Sequence, residues 1–377
     1  MRKVLMAFLG KGPYQETTYQ IEKKQYKSQL AFVPIRDHFS PIDTTYIIGT
    51  KESKWDLIKE IDHVPIHIPY GRSESDFWQM FDILKDKMVL KQADLIFDVT
   101  HCFRAIPIFT VIYIRLLKYL EPTAHFTHIF YGSYEKGHAV TPIVDLASTL
   151  DLLDWIDATT SFIKYGELEE LSIKLKTAHD TAWKNDANGK PAVLGEFSKR
   201  LARLSDLSRL TYVPLLSEAS KQISELLNKT ELGNEINRYV KPFGLLSGEL
   251  LRYTTRFQKP SLWEAHLEAA KWYVENQRPT QALLVLREVI LTCHCEKDGC
   301  DPYDIKSREK REEELNEKRK KSKEPVVKLW QKITDARNMA GHALMKRFDK
   351  DLSPGKAIKK VKALIEETEK ILGGQFG

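Results

Sequence analysis

The stretch Val4-Leu5-Met6-Ala7-Phe8-Leu9-Gly10-Lys11-Gly12-Pro13 decides the fold class. Six apolar residues in a row, closed by Gly-Lys-Gly-Pro, read as a buried strand running into a tight loop. Further along, Tyr19 to Ile21 and Leu30 to Val33 are expected to pair as a hairpin. Tyr46-Ile47-Ile48 is a second strand ending at Gly49-Thr50, with a helix expected from Ser53, and Val64 to Ile68 is a short strand. Phe77, Met80, Phe81, Leu84 and Met88 fall at helical spacing. Asp94 to Val99 is a strand, and Thr100 starts the turn into a long apolar helix, with Pro107 in its first turn where a missing N–H costs little. His125 to Tyr131 closes the series. Strands alternating with helices specify an α/β domain with a mostly parallel sheet covered on both faces. Ligands bind such sheets in loops at the carboxyl ends of the strands.

The pattern changes between Pro142 and Leu150. Helical spacing then runs through Leu150 to Leu175, Phe197 to Leu227, Leu245 to Phe257, Trp263 to Leu291, Val326 to Lys346 and Ala357 to Leu372. The expected division is residues 1–147, α/β, and residues 148–377, all-α. Lys184 to Pro191 reads as a polar loop, and the charge-dense Lys306 to Lys323 as a solvated helix or mobile insertion.

Composition excludes several classes. With 42% hydrophobic and 29% charged residues, the chain is of ordinary globular type. No apolar run approaches the roughly 20 residues that span a bilayer. No signal peptide is expected at Met1-Arg2-Lys3. Four cysteines, three of them between residues 293 and 300, do not resemble a secreted disulfide framework, so a cytoplasmic location is expected. The net charge of +6 permits contact with a polyanion without requiring it.

The sharpest motif in the helical half is Ile333-Thr-Asp-Ala-Arg-Asn-Met-Ala-Gly-His-Ala343. On a helix, Asn338 and His342 share a face and Arg337 flanks them. Histidine moves protons near neutrality, and the planar fork of arginine suits charge on a phosphoryl group. Asn338 can orient the imidazole or hold a phosphate oxygen. The spacing alone is also met by an ordinary core or surface histidine. Gly341 costs about 1 kcal/mol in a helix, which is best repaid where another backbone comes close, such as a two-fold copy of the same helix.

Arg-Asn-x-x-x-His near the end of a helical domain resembles the catalytic motif of the HEPN ribonucleases. The N-terminal half resembles the Rossmann-like CARF domains of type III CRISPR accessory ribonucleases. The matching segments are Phe8 to Tyr14, Asp98 to Pro107, Ile129 to Glu135 and Thr141 to Leu146, and Glu268 to Glu288 resembles an early HEPN helix pair. Cys102 stands where the family usually has glycine. The resemblance implies a CARF domain followed by a HEPN domain, in a homodimer or higher even-numbered oligomer. It implies a metal-independent endoribonuclease cutting single-stranded RNA, with Arg337, Asn338 and His342 catalytic. It also implies allosteric activation by a cyclic oligoadenylate, with the tetra-adenylate ring expected, and leaves open a second activity that degrades the ring.

Candidate ligand contacts are Gly10, Lys11, Gly12, Tyr14, Thr50, Thr100, His101, Cys102, Phe103 and Arg104. Glycines let backbone N–H groups turn toward a phosphate, and a helix N-terminus favours an anion. His101 and Arg104 would add donors, Thr50 a hydroxyl, and Tyr14 a stacking face. The plain alternatives are a simple turn at Gly10 to Gly12, an N-cap at Thr100 and a core hydrogen bond at His101. Cys293, Cys295 and Cys300 crowd together, but one short segment rarely supplies four metal ligands, so no metal or other required cofactor is expected. Two other readings stay open: a non-catalytic nucleotide sensor whose helical half binds RNA or a protein, and a dinucleotide enzyme, disfavoured because the first loop lacks a third glycine.

Overall fold

The structure is a computed structural model and describes residues 1–102, 106–185, 189–319, 322–342 and 353–374. It divides into two compact units, Met1–Leu153 and Asp154–Gly377.

The first unit is α/β. Its elements are β1 (Arg2–Leu9), β2 (Thr17–Ile21), β3 (Lys24–Ser28), α1 (Phe32–His38), β4 (Thr44–Gly49), β5 (Val64–His67), α2 (Glu74–Lys87), β6 (Ala93–Asp98), α3 (Ile106–Leu120), β7 (His125–Gly132) and β8 (Thr141–Asp145). The sheet order is β3-β2-β8-β7-β6-β1-β4-β5. β1 pairs in parallel with both β4 and β6, and β5 and β7 extend the parallel block outward. β7 and β8 pair antiparallel, as do β2 and β3.

The apolar run that opened the sequence reading explains itself here. Alternation along β1 sends Val4, Met6 and Phe8 to one face, where they join Met80 and Leu84 of α2 and Phe109 and Tyr113 of α3. Leu5, Ala7 and Leu9 go to the other face with Phe32 and Ile35 of α1. A strand covered on both sides has no polar position to give, hence the unbroken run.

Three local expectations fail. The hairpin partner of β2 is the polar Lys24-Gln-Tyr-Lys-Ser28, while Leu30 and Phe32 are buried at the start of α1. After Ser53 only a single 3-10 turn forms, Trp55–Ile58. The series does not close at β7, because β8 follows and pairs with it.

The second unit is helical. α4 (Ala147–Tyr165) crosses the division between the units, followed by α5 (Glu169–Asn185), α6 (Leu194–Leu210), α7 (Val213–Leu227), α8 (Thr230–Tyr239), α9 (Lys241–Arg256), α10 (Leu262–Glu275), α11 (Pro279–Lys297), α12 (Ile305–Lys318), α13 (Pro325–Gly341) and α14 (Pro354–Gly373). Some helix starts are closed by side chains. Glu235 accepts the N–H groups of Ala192, Val193 and Leu194 at the start of α6, and Ser261 with Glu264 forms a capping box on α10. The charge-dense segment is α12, tied to α11 by Arg308 to Glu288 and Arg287 to Glu312. Among the described residues, no helix is long and apolar enough to cross a membrane.

Candidate functional site

The sheet order fixes where a ligand can enter the first unit. From β1 the chain moves to the β2–β3 hairpin at one edge of the sheet, then through β4 and β5 on the other flank, and returns to β6 beside β1. β1 and β6 are parallel neighbours, so the loops after them lie side by side at the carboxyl end of the sheet, the crevice where such folds bind ligands. The candidate residues after β1 and β6 converge there. A Cβ on Gly10 would lie 2.9 Å from the His101 carbonyl oxygen and 3.0 Å from the Tyr14 hydroxyl, so only glycine lets the two loops meet. The Gly10 N–H donates to Tyr14 Oη at 2.7 Å, and the Tyr14 ring sits edge-on to His101 at 4.7 Å.

Thr100 and His101 form a turn after β6, with the Thr100 hydroxyl turned back onto the strand ends, and the described part of α3 begins at Ile106. That hydroxyl donates to Asp98 Oδ1 at 2.5 Å and accepts the Gly132 N–H at 2.8 Å. A Cβ on Gly132 would come within 2.9 Å of the Thr100 methyl, so β7 is pressed against the turn. His101 is tied into the fold through one ring nitrogen. Its Nε2 accepts the Ala31 N–H at 3.1 Å and lies 3.5 Å from Tyr19 Oη. Burial lowers its pKa to about 4, leaving Nδ1 to carry the proton of a neutral ring. Cys102 donates its thiol to the Val99 carbonyl, and burial pushes its pKa up to about 12.

Thr50 follows the end of β4. It is buried, with its N–H donating to Ser53 Oγ at 2.9 Å. Lys11 and Gly12 are exposed on the rim, with Lys11 Nζ 4.3 Å above the Tyr70 ring and Arg72 on the same ring at 4.6 Å. Phe103 and Arg104 lie outside the described residues.

Sequence reasoning missed two residues of consequence. Arg72 brings a second cation to the rim. Asp98 is fully buried at the end of β6, its Oδ2 has no hydrogen-bond partner among the described residues, and burial raises its pKa to about 6. An aspartate two residues before a threonine at the end of an apolar strand was its only sequence signal.

In the second unit, α13 buries Val326, Val327, Leu329, Trp330, Ile333 and Ala336, and its last turn leaves that core. Arg337 and Asn338 are partly buried, and His342, the C-cap residue, is exposed. The His342 N–H closes the helix on the Asn338 carbonyl at 3.0 Å. Arg337 Nη1 donates to Asn338 Oδ1 at 3.1 Å, while its buried Nε has no partner among the described residues. A Cβ on Gly341 would meet nothing within 4 Å. Cys293 and Cys295 lie buried in α11, with the Cys293 thiol raised by burial to about 11. Among the described residues, no three His, Cys, Asp or Glu side chains are placed to hold a metal ion.

Residues 151–260, from α4 to α9, match the family described as the second domain of CRISPR-associated protein MJ1674. CRISPR-associated protein MJ1674 of Methanocaldococcus jannaschii is itself 24% identical over 311 residues, which is 79% of this chain and 45% of the relative. The chain thus spans about half the length of the curated relative it matches. Among solved structures, Enterococcus italicus Csm6 bound to cyclic hexa-2'-fluoro-hexa-dAMP aligns over 99% of this chain and 94% of that one, at 12% identity and a TM-score of 0.42, a likeness too loose to argue from. The sequence matches thus make this chain similar to a CRISPR-associated protein, with residues 151–260 corresponding to the second domain of that relative.

Proposed function

We propose that the chain is a ribonuclease switched on by a cyclic oligoadenylate, which binds at the crevice between β1 and β6 while α13 cuts single-stranded RNA. The observation that carries the reading is the end of α13, where an exposed imidazole follows Asn338 by one turn and the guanidinium beside it has a buried nitrogen with no partner among the described residues. In this reading His342 moves a proton at the 2′-hydroxyl or the leaving 5′-oxygen, Arg337 faces the charge growing on the phosphoryl oxygens, and Asn338 holds the guanidinium in place.

For the activator, the crevice offers the backbone of Gly10 to Gly12 and the rim cations Lys11 and Arg72, above a rigid floor of Tyr14, Thr100 and His101. A ring of phosphates with two-fold symmetry calls for two copies of the chain. A stripe on α3 fits that need: Ile108, Ile112, Leu116 and Tyr119 share one helix face and are 70%, 54%, 39% and 75% exposed. That helix lies just downstream of the Thr100–His101 turn, so a partner docked on it would sit close to the ligand loops in sequence.

The test is cleavage of a fluorescent single-stranded RNA with chelator present, across tri-, tetra- and hexa-adenylate rings. Wild type is expected to cut slowly alone and at least tenfold faster with one ring. Arg337→Ala and His342→Ala should each lose about a hundredfold or more in activated rate. Unchanged cleavage by both variants refutes the site, and equal rates with and without every ring refute the switch.

A further inference from the structure

The first two turns of α14 read Pro354-Gly-Lys-Ala-Ile-Lys-Lys-Val-Lys362, four lysines and no acid. Lys356, Lys359, Lys360 and Lys362 are all exposed. The acids of the same helix come later, and two of them are bound into the unit, Glu367 to Lys332 at 2.8 Å and Glu369 to Lys271 at 2.6 Å. Among the described residues the four lysines have no such partners. Cations early and anions late is the reverse of what the helix dipole favours, so this arrangement does not serve the helix itself.

Beside these lysines lies a cavity of about 340 Å³, within the range of small-ligand sites. Met339 and Ala340 of α13, Ala357 and Ile358 of α14 and Leu283 of α11 line it, with Lys360 among them. Met339 and Ala340 fall between Asn338 and His342, so the cavity adjoins the last turn of α13.

We infer that this face is the RNA-binding surface of the chain: the lysines hold the phosphates of a single strand, and the cavity takes the base of a nucleotide next to the phosphodiester presented to His342. The inference deepens the nuclease reading of α13 and rests on it for the identity of the polyanion. Charge selects this occupant. A second copy docked here about a two-fold axis would set lysines against lysines, and protein interfaces deplete lysine from their centres. A single-stranded nucleic acid supplies a row of anions and unstacked bases together.

The experiment uses the full chain and a fluorescein-labelled, uncleavable 2′-O-methyl RNA of about 20 nucleotides, with binding followed by anisotropy from about 50 to 300 mM potassium chloride. The combined Lys356→Ala, Lys359→Ala, Lys360→Ala and Lys362→Ala variant is expected to bind at least tenfold more weakly at low salt. Its salt slope should fall by roughly 3, at about 0.7 per phosphate contact. Ala357→Trp fills the cavity without touching charge and should flatten the preference among homopolymer RNAs. Melting by circular dichroism confirms that both variants fold. Unchanged affinity and slope in the lysine variant overturn the inference, as does a change in oligomeric state with RNA binding intact. Cleavage of ordinary RNA is measured in parallel: weakened binding with no wild-type cleavage under any ring keeps this surface and removes the nuclease reading, while wild-type cleavage with undiminished binding by the lysine variant does the opposite.

Discussion

The hydroxyl of Thr100 donates to Asp98 Oδ1 at 2.5 Å, and the Thr100 N–H reaches the same oxygen at 2.9 Å. A buried carboxyl at the end of β6 thus fixes the first residue of the turn that follows through both backbone and side chain. Because the same hydroxyl accepts the Gly132 N–H, the turn is also fastened to β7.

Thr100→Val keeps the shape and removes the hydroxyl, stripping one donor from Asp98 and leaving the Gly132 N–H unpaired. A loss of about 1–3 kcal/mol in stability is expected, read from urea unfolding, with weaker activator binding alongside. Thr100→Ser should recover most of both. Wild-type stability in the valine variant would show that the turn does not depend on the bond.

Asp98 sets a pH dependence of definite sign. Burial raises its pKa from 3.8 to about 6, so between those values the folded chain binds a proton that the unfolded chain has released. Its contribution is present in full below the unfolded value and is lost as pH rises through about 6, an upper bound of about 3 kcal/mol. Asp98→Asn should flatten the difference in unfolding midpoint between pH 4.5 and 7.5, roughly the window in which the group titrates. Parallel wild-type and variant curves would contradict it.

His101 runs the other way. Its folded pKa lies near 4, below the ordinary histidine value of 6.5, so its contribution is complete above 6.5 and is lost as pH falls toward 4. Nitrogen-15 spectra should show a neutral ring protonated on Nδ1 at pH 6, since Nε2 accepts from Ala31. A charged imidazolium at that pH, where an unperturbed histidine is largely protonated, would refute the assignment.

Gly341→Ala tests the two-fold packing of α13. A Cβ there meets nothing among the described residues, and alanine should strengthen the helix by up to about 1 kcal/mol. If a partner backbone docks at this point, the same change should weaken self-association several-fold in sedimentation. Unaltered association would take Gly341 out of any interface.

Ile112→Glu tests the stripe on α3. A charge placed in the middle of that face should dissociate the assembly and abolish activation by the ring while leaving the melting temperature within a few degrees, as for most exposed substitutions. An intact dimer would remove α3 from the interface.

What could be read from the sequence follows from how each element earns its burial. β1 and α3 announce themselves because each buries most of its length or a full face. β3 does not: Lys24, Gln25 and Lys27 belong to an edge strand, where charge guards against unwanted pairing and hides the β pattern. α8 was overlooked because only Leu232 and Ile236 are buried in it. At the crevice, Gly10 was visible as a glycine in a tight loop. The burial of Asp98 and Thr50 was not, because a polar letter does not show whether its side chain faces water or its own backbone. The end of α13 was legible as a motif, while the cavity beside it depends on Pro279, Thr280 and Ile358, which only tertiary structure brings to Met339.

The bond from the Ala31 amide to the imidazole of His101 joins positions seventy residues apart. That amide sits just ahead of α1, away from any proposed contact with the activator, yet its proton can exchange with solvent only when the β6 turn lets go. Deuterium uptake at this one position is therefore an intrinsic, label-free gauge of whether the turn is seated or released.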